Sequence, residues 1–359
     1  MIQINRIANQ TTPLCFLPDG RLVSYHHGRI RVFSDDEEEL SFPIPMSGKD
    51  RLLGWSKLVT RLLRLGVRGA VALDNEHIIL SIGNTLYEVE LSSGEMSRGW
   101  ACGDGIRPLQ FSTVNGIDGF DDGVYFGGYL MNMSKAPVHI YRRKDVDQWE
   151  QVCSFPQGAI NHVHNIVADP FRKCLWVFSG DFGEASAIWK VTENFKKVEH
   201  VAYNDQKFRA CVAYALPEGL LYATDTPFAD DFIYLLNPET MALKEVYPIH
   251  GSCIYGCKWK NGFAFSSTVE GDGREVSRWE FLFGRKRGSG IKDDYVHLYS
   301  GNLNEGFREI YKEKKDWLPF FTFQFGVFKF PSGENKNEGL YISPVATKND
   351  GKLLKISEL

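Results

Sequence analysis

The sequence predicts an all-β fold: a seven-bladed β-propeller of four-stranded antiparallel blades, with the ring closed by the N-terminal strand in the last blade. Three observations predict it. One hairpin turn recurs seven times along 359 residues, and a repeat of about 40–50 residues is the signature of propeller blades. Aromatic residues reach 13% beside 34 glycines, a mixture that suits short strands and tight turns. The last unit runs out of chain one strand short, and Ile2–Ala8 is available to complete it.

The turns come first in each unit. They read LPDGRL at Leu17–Leu22, LDNEHI at Leu73–Ile78, GFDDGV at Gly119–Val124 and ADPFRKCL at Ala168–Leu175. LPEGLL at Leu216–Leu221, WKNGF at Trp259–Phe263 and FPSGENKNEGL at Phe330–Leu340 follow. Asp-Gly, Asn-Gly and Pro-containing pairs between apolar runs mark hairpins, because Gly and Asn tolerate positive φ. After each turn a second strand begins, at Leu22, Ile78, Val124, Leu175, Leu221, Phe263 and Leu340. Third strands begin at Gly28, Asn84, Pro137, Ser186, Asp231, Asp294 and Gly351. Fourth strands appear six times, as ELSFPIP, MSRGW, WEQVCSF, KKVEHVA, LKEVYPI and REIYKEK. Strand Ile2–Ala8 supplies the seventh, and closure leaves no exposed sheet edge. Residues 1–359 therefore read as a single propeller domain, with insertions at 46–67 and 270–294.

A net charge of −4 speaks against a nucleic-acid partner. Residues 1–20 lack the basic start and apolar run of a signal peptide. No apolar run approaches the roughly 18 residues of a membrane span. The seven cysteines are odd in number and mostly lie inside apolar runs, which reads as free thiols in a reducing, cytoplasmic compartment.

From Val124 to Glu270 the chain resembles the BNR, or sialidase-like, propeller superfamily. The stretches that carry the likeness are YFGGYLMN with WEQV, HVHNIVADPFRKCLWVFSGD, FRACVAYALPEGLLYATDTP and DFIYLLNPET. In that superfamily an Asp-box turn joins the third and fourth strands of a blade. Here Arg143–Trp149 and Thr192–Lys197 occupy its place, without the box's Gly and Ser/Thr. The resemblance implies a propeller acting on or binding glycans. No arginine triad is recognisable, so sialidase activity is not carried over.

In a propeller, the loops into each next blade and the loops between second and third strands open on one face. That face collects His162, His164, Asp181, Glu184, Arg209, Asp225, Asp230, Asp231, Glu270 and Arg107. His162 and His164, two apart on an inner strand, face the same way and suit a metal or an acid–base pair. Arg209 suits a carboxylate or phosphate of a ligand; the alternative is a salt bridge to Asp181 or Asp225 across the blade boundary. Asp225 and Tyr255 complete the catalytic candidates, and Asp181, Glu184, Tyr129, Glu270 and Arg107 are the substrate-binding ones. No cofactor is expected, and a divalent metal on His162 and His164 is the one alternative.

The first insertion has Leu52, Trp55, Val59 and Leu62 at helical spacing. Its other face is basic, with Lys49, Arg51, Lys57, Arg61 and Arg64, and suits an anionic ligand or a membrane surface. The second reads as a flap or long hairpin. The function that follows is a carbohydrate-active propeller, a lyase or glycoside hydrolase with an acidic glycan as partner. The alternative is a non-catalytic glycan- or protein-binding propeller, including one serving surface-polysaccharide synthesis.

Overall fold

The computed structural model describes residues 2–45, 53–54, 56–103, 105–274 and 276–358. They form seven four-stranded antiparallel sheets. Blade one spans Thr12–Pro43, blade two Val67–Ala101, blade three Ser112–Phe155 and blade four His162–Tyr203. Blade five spans Ala210–Ile249 and blade six Cys253–Lys314. Blade seven runs outward from Val327–Lys329 through Leu340–Val345 and Lys352–Glu358, and Ile2–Asn9 is its outer strand. The closure is a full ladder, from Ile2 opposite Glu358 to Asn9 opposite Lys352. Thr11 N donates to Gly351 O at 3.0 Å as the chain passes into blade one.

The local causes are those of the repeat. In the first turn Gly20 sits at φ 95°, and Leu17 N donates to Arg21 O at 2.9 Å. Second strands carry the core. Cys174–Gly180 is buried at every position, as is Gly219–Thr224, because these middle strands are covered on both faces by neighbouring blades. Blade two departs from the reading of MSRGW as a fourth strand. That strand is only Trp100–Ala101, with Met96 bridged singly to Val89. Ser97 Oγ and Gly99 N instead donate to Asp147 Oδ1 of blade three, at 2.6 and 3.0 Å.

One irregularity recurs on the inner strands. In blades one, two, four, five and six the pairing to the second strand skips a residue near its start. The skipped residues are Leu14, Arg68, His164, Cys211 and Ile254. A bulge of this kind re-aims one side chain and bends the strand.

The insertions differ from expectation. In the first, Lys57–Leu63 is a helix capped by Ser56, while residues 46–52 and Trp55 lie outside the described residues. Its faces are inverted: Arg61 is buried, and Leu58 and Leu62 are exposed. Arg61 is drawn in by Asp316, Asp350 and the carbonyl of Phe323. The second insertion is no hairpin; it carries the helix Arg278–Phe283. Among the described residues, no helix is long and apolar enough to cross a membrane. All seven cysteines are free, six of them buried and Cys153 half-buried.

Candidate functional site

The inner strands all begin at one face, and there the first residues of blades four to six bring polar groups together. His162 opens the inner strand of blade four. Its Nδ1 lies 3.0 Å from Leu130 O. A carbonyl only accepts, so Nδ1 carries the proton and a neutral His162 presents its Nε2 lone pair. That Nε2 is 2.9 Å from His164 Nε2 and 3.2 Å from Asp181 Oδ1. His164 Nε2 is also 3.2 Å from the same carboxylate oxygen. One exchangeable proton is therefore shared among two imidazoles and a carboxylate. His164 reaches this place because the bulge frees it and because Gly180 makes room. A Cβ on Gly180 would lie 2.2 Å from the His164 ring.

Blade five supplies the counter-charges. Arg209 Nη2 lies 3.2 Å from Asp181 Oδ1 and 3.4 Å from Asp225 Oδ2. Cys211 Sγ, the bulged residue of its strand, donates to Asp225 Oδ2 at 3.3 Å. In blade six, Glu270 accepts from Ser252 Oγ at 2.6 Å and Thr268 Oγ1 at 2.7 Å.

The ionisation states follow from these contacts. Burial alone would raise Asp181, but Arg209 and the two histidines outweigh it and hold the carboxyl well below its usual range. Burial lowers His164, so it is neutral at neutral pH. Burial opposes the charge of Arg209, yet Asp181 and Asp225 raise it further. Burial and the Asp225 charge push Glu270 up to about 7. Burial holds Asp231 well above the carboxylate range, hence protonated. Groups displaced in opposite directions in one cleft are the usual setting for acid–base work.

Tyr129 links this cluster to the axis. Its ring packs on His162 at 4.4 Å between centroids. The Arg107 guanidinium lies 4.8 Å over the same ring. Burial, with Asp181 next, raises the Tyr129 phenol, so it is a proton donor. Tyr129 and Arg107 line an open cavity, with Arg64, Arg68, Tyr255 and Lys329 among its other walls. No Asp or Glu lines it among the described residues. Arg68 Nε is buried without a hydrogen-bond partner. Burial, then the charges of Arg107 and Arg64, lower Arg68 to about 10, so it still carries its charge at neutral pH.

The structure thus gathers His162, His164, Asp181, Arg209 and Asp225, with Glu270 alongside. Tyr129 and Arg107 stand between the cluster and the cavity, while Tyr255 lies on the cavity wall, with Lys329 5.9 Å over its ring. Glu184 is not brought in: the 3-10 turn Gly183–Ala185 leaves it exposed, and its charge acts on His200. Arg209 meets two protein carboxylates through Nη2, while its Nε and Nη1 are buried without a hydrogen-bond partner. Arg68, Lys329 and Cys211 were not among the sequence candidates. Arg68 and Lys329 had a signal, as charged residues within the inner strands Val67–Ala72 and Val327–Lys329.

His162 Nε2, His164 Nε2 and Asp181 Oδ1 are close enough to hold a small cation, within 4.8 Å of one another. The Asp181 oxygen, however, already serves the fixed cation of Arg209.

No family model matches the chain, and no curated protein matches it in sequence. Its fold is shared with solved propellers. The β-propeller domain of Myceliophteria thermophila Cps50 (Swd1) aligns over 99% of this chain and 98% of its own, at 9% identity and a TM-score of 0.56. A chain of the mitotic checkpoint complex aligns over 99% and 91%, at 10% identity and a TM-score of 0.55. The AfRom2 CNH domain aligns over 99% of both chains, at 8% identity and a TM-score of 0.54. At such identities the likeness speaks for architecture alone: a seven-bladed β-propeller with a polar centre at one mouth.

Proposed function

We propose that this chain is a glycan-acting propeller that cleaves an acidic saccharide at the mouth of its central channel, by elimination. The carrying observation is contiguity. A cationic cavity free of acidic side chains among the described residues meets a buried His–His–Asp centre across one tyrosine. Arg68, Arg107 and Lys329 receive the carboxylate of a uronate and lower the cost of removing the proton beside it. His162 Nε2 takes that proton, the bond from the neighbouring carbon to the glycosidic oxygen breaks, and a carbon–carbon double bond forms. Tyr129, kept protonated by burial, gives its proton to the leaving oxygen. Asp181 and Arg209 hold the histidine pair in register.

Hydrolysis is the second reading: Asp181, held ionised beside Arg209, and Glu270, pushed up to about 7 by burial and Asp225, are the unequal carboxyls it would use. A glycosidase needs one of its two carboxyls protonated. The likeness of the middle blades to BNR propellers supports a glycan ligand, by analogy of fold.

The test is a library of acidic oligosaccharides with products read by mass spectrometry. Unsaturated products without gained water are expected, abolished by His162→Ala and with binding retained. Products that have gained water would replace elimination with hydrolysis. Binding without turnover would favour the non-catalytic reading, which the deep burial of His162 and His164 also supports.

A further inference from the structure

We infer that the face carrying this mouth docks on an anionic membrane surface, through a platform of three short helices. The observation is independent of the proposed chemistry. Helix Lys57–Leu63, helix Arg278–Phe283 and the turn of helix Phe320–Phe323 join into one layer. Their polar groups point inward. Arg61 donates to Phe323 O, and Gln324 Nε2 to Arg61 O at 3.2 Å. Thr322 Oγ1 donates to the carbonyls of Phe281 and Leu282, at 2.9 and 3.1 Å.

The apolar side chains point outward. Trp279 is 75% exposed and stacks only on Phe283, itself 59% exposed. Leu58, Leu62 and Leu63 are exposed on the neighbouring helix, and Trp317 stands 73% exposed beside them. Across the mouth, the loop after Tyr129 raises Met131 and Met133 in the same way. An ordinary surface helix turns such a stripe into the core, and a contiguous apolar patch on a monomer marks an interaction site.

The charges select the occupant. Lys57, Arg64, Arg278, Arg285 and Lys286 are exposed on or beside the helices, and Lys57 and Arg64 donate to backbone carbonyls, of Asp350 at 3.0 Å and Phe321 at 3.2 Å. Glu280 is the single acid on these helices. Arg285 lies 5.7 Å over the Trp317 ring. Trp, Phe and Leu ringed by Arg and Lys is the composition of an interfacial membrane element, whose apolar side sinks about 5–10 Å into the headgroup boundary. Arg64 belongs both to this platform, as the residue ending its helix, and to the cationic cavity, so docking would turn the mouth toward the headgroups.

The test is flotation of the full chain with liposomes of phosphatidylcholine alone or containing phosphatidylserine. Binding is expected to the anionic vesicles, reduced at least tenfold by high salt. The variant Trp279→Ser/Phe283→Ser is expected to lose at least tenfold in partition with an unchanged circular dichroism spectrum, since both side chains are largely solvent-exposed. Arg285→Glu/Lys286→Glu should lose anionic selectivity. No binding to anionic vesicles would overturn the inference, as would binding that the aromatic variant leaves unchanged. A wild-type dimer in light scattering that the same variant dissociates would assign the face to a second copy instead. Oligosaccharide turnover in solution does not enter either result, so failure here leaves the proposed chemistry standing.

Discussion

Two neighbouring regions of one mouth handle charge in opposite ways. In blades four to six, the one buried arginine of the polar cluster is matched by two carboxylates, Asp181 and Asp225. Five to ten ångströms is the range over which such charges still couple strongly when water is excluded. On the side of blades two and seven, Arg64, Arg68, Arg107 and Lys329 share a cavity with no carboxylate among the described lining. The first region matches its cation with carboxylates, although Arg209 Nε and Nη1 and His164 Nδ1 stay without hydrogen-bond partners. The second has no such match, its Arg68 depressed by burial and like charges, and the proposed acidic ligand would relieve that surplus. A preorganised half beside a half that waits for its ligand is the division of labour a catalytic cleft requires.

The comparison is broken most severely by Asp181→Asn. This leaves Arg209 with Asp225 as its one carboxylate partner and turns the charged acceptor shared by both histidines into a neutral amide. Loss of one partner from a buried ion pair costs about 3–5 kcal/mol, so a thermal melt should fall markedly and turnover should drop by roughly a hundredfold or more. A variant with wild-type stability would show that Asp181 does not organise the cluster.

Glu270→Gln is next. Its pKa of about 7 lies above the usual value of about 4.3 for an unfolded glutamate. Between those values the folded chain binds more protons than the unfolded one, so stability falls as pH rises from about 4.3 to 7 and is level beyond. The full difference is about 4 kcal/mol. The glutamine variant should flatten that limb in denaturant titrations at several pH values. Asp181 works in the other direction: its contribution is present above about pH 4 and is lost as pH falls further. An unchanged slope in Glu270→Gln would remove the residue from the pH dependence.

Arg68→Leu sharpens the other half. It removes a cation without touching a protein ion pair, so affinity for an acidic oligosaccharide should weaken about tenfold while thermal stability holds or rises. Arg209→Leu, by contrast, should destabilise first. If Arg68→Leu unfolds the chain or leaves binding unchanged, the cavity is not the anion site.

The propeller and its closure were legible because they rest on local rules: hairpin turns such as Leu17–Leu22, and a strand missing at one end that Ile2–Asn9 replaces at the other. The face was legible too, since strand order dictates which loops open together. What the pattern of alternate residues could not supply is the bulge near the start of the inner strands. It frees Arg68, His164 and Cys211 from the pairing ladder, and alternation assumes an unbroken ladder. The ion pairing of Arg209 was legible as one of two alternatives, but the structure uses both acids: Asp225 from its own blade, where Asp225 N also donates to Arg209 O, and Asp181 from blade four. The inverted helix Lys57–Leu63 failed for a related reason: Arg61 answers to Asp316 and Asp350, far along the sequence.

The smallest expected effect is that of chelation, and it bears on what fills the carboxylate-matched half. Two imidazole nitrogens and a carboxylate oxygen that converge within 4.8 Å offer a divalent ion three ligands of suitable type. The same carboxylate oxygen, however, takes the guanidinium of Arg209 at 3.2 Å, and that group does not give up its charge in proteins. An ion bound by all three would stand within a few ångströms of a fixed cation, where burial leaves the repulsion poorly screened. A single proton between His162 and His164 satisfies the same lone pairs without that cost. Elemental analysis should therefore find less than stoichiometric metal, and treatment with a chelator should leave both the melting temperature and oligosaccharide turnover unchanged. Stoichiometric zinc or manganese, lost together with stability on chelation and restored by the metal alone, would make Arg209 a guard of the ion's outer side, and the proton relay would give way to a metal centre.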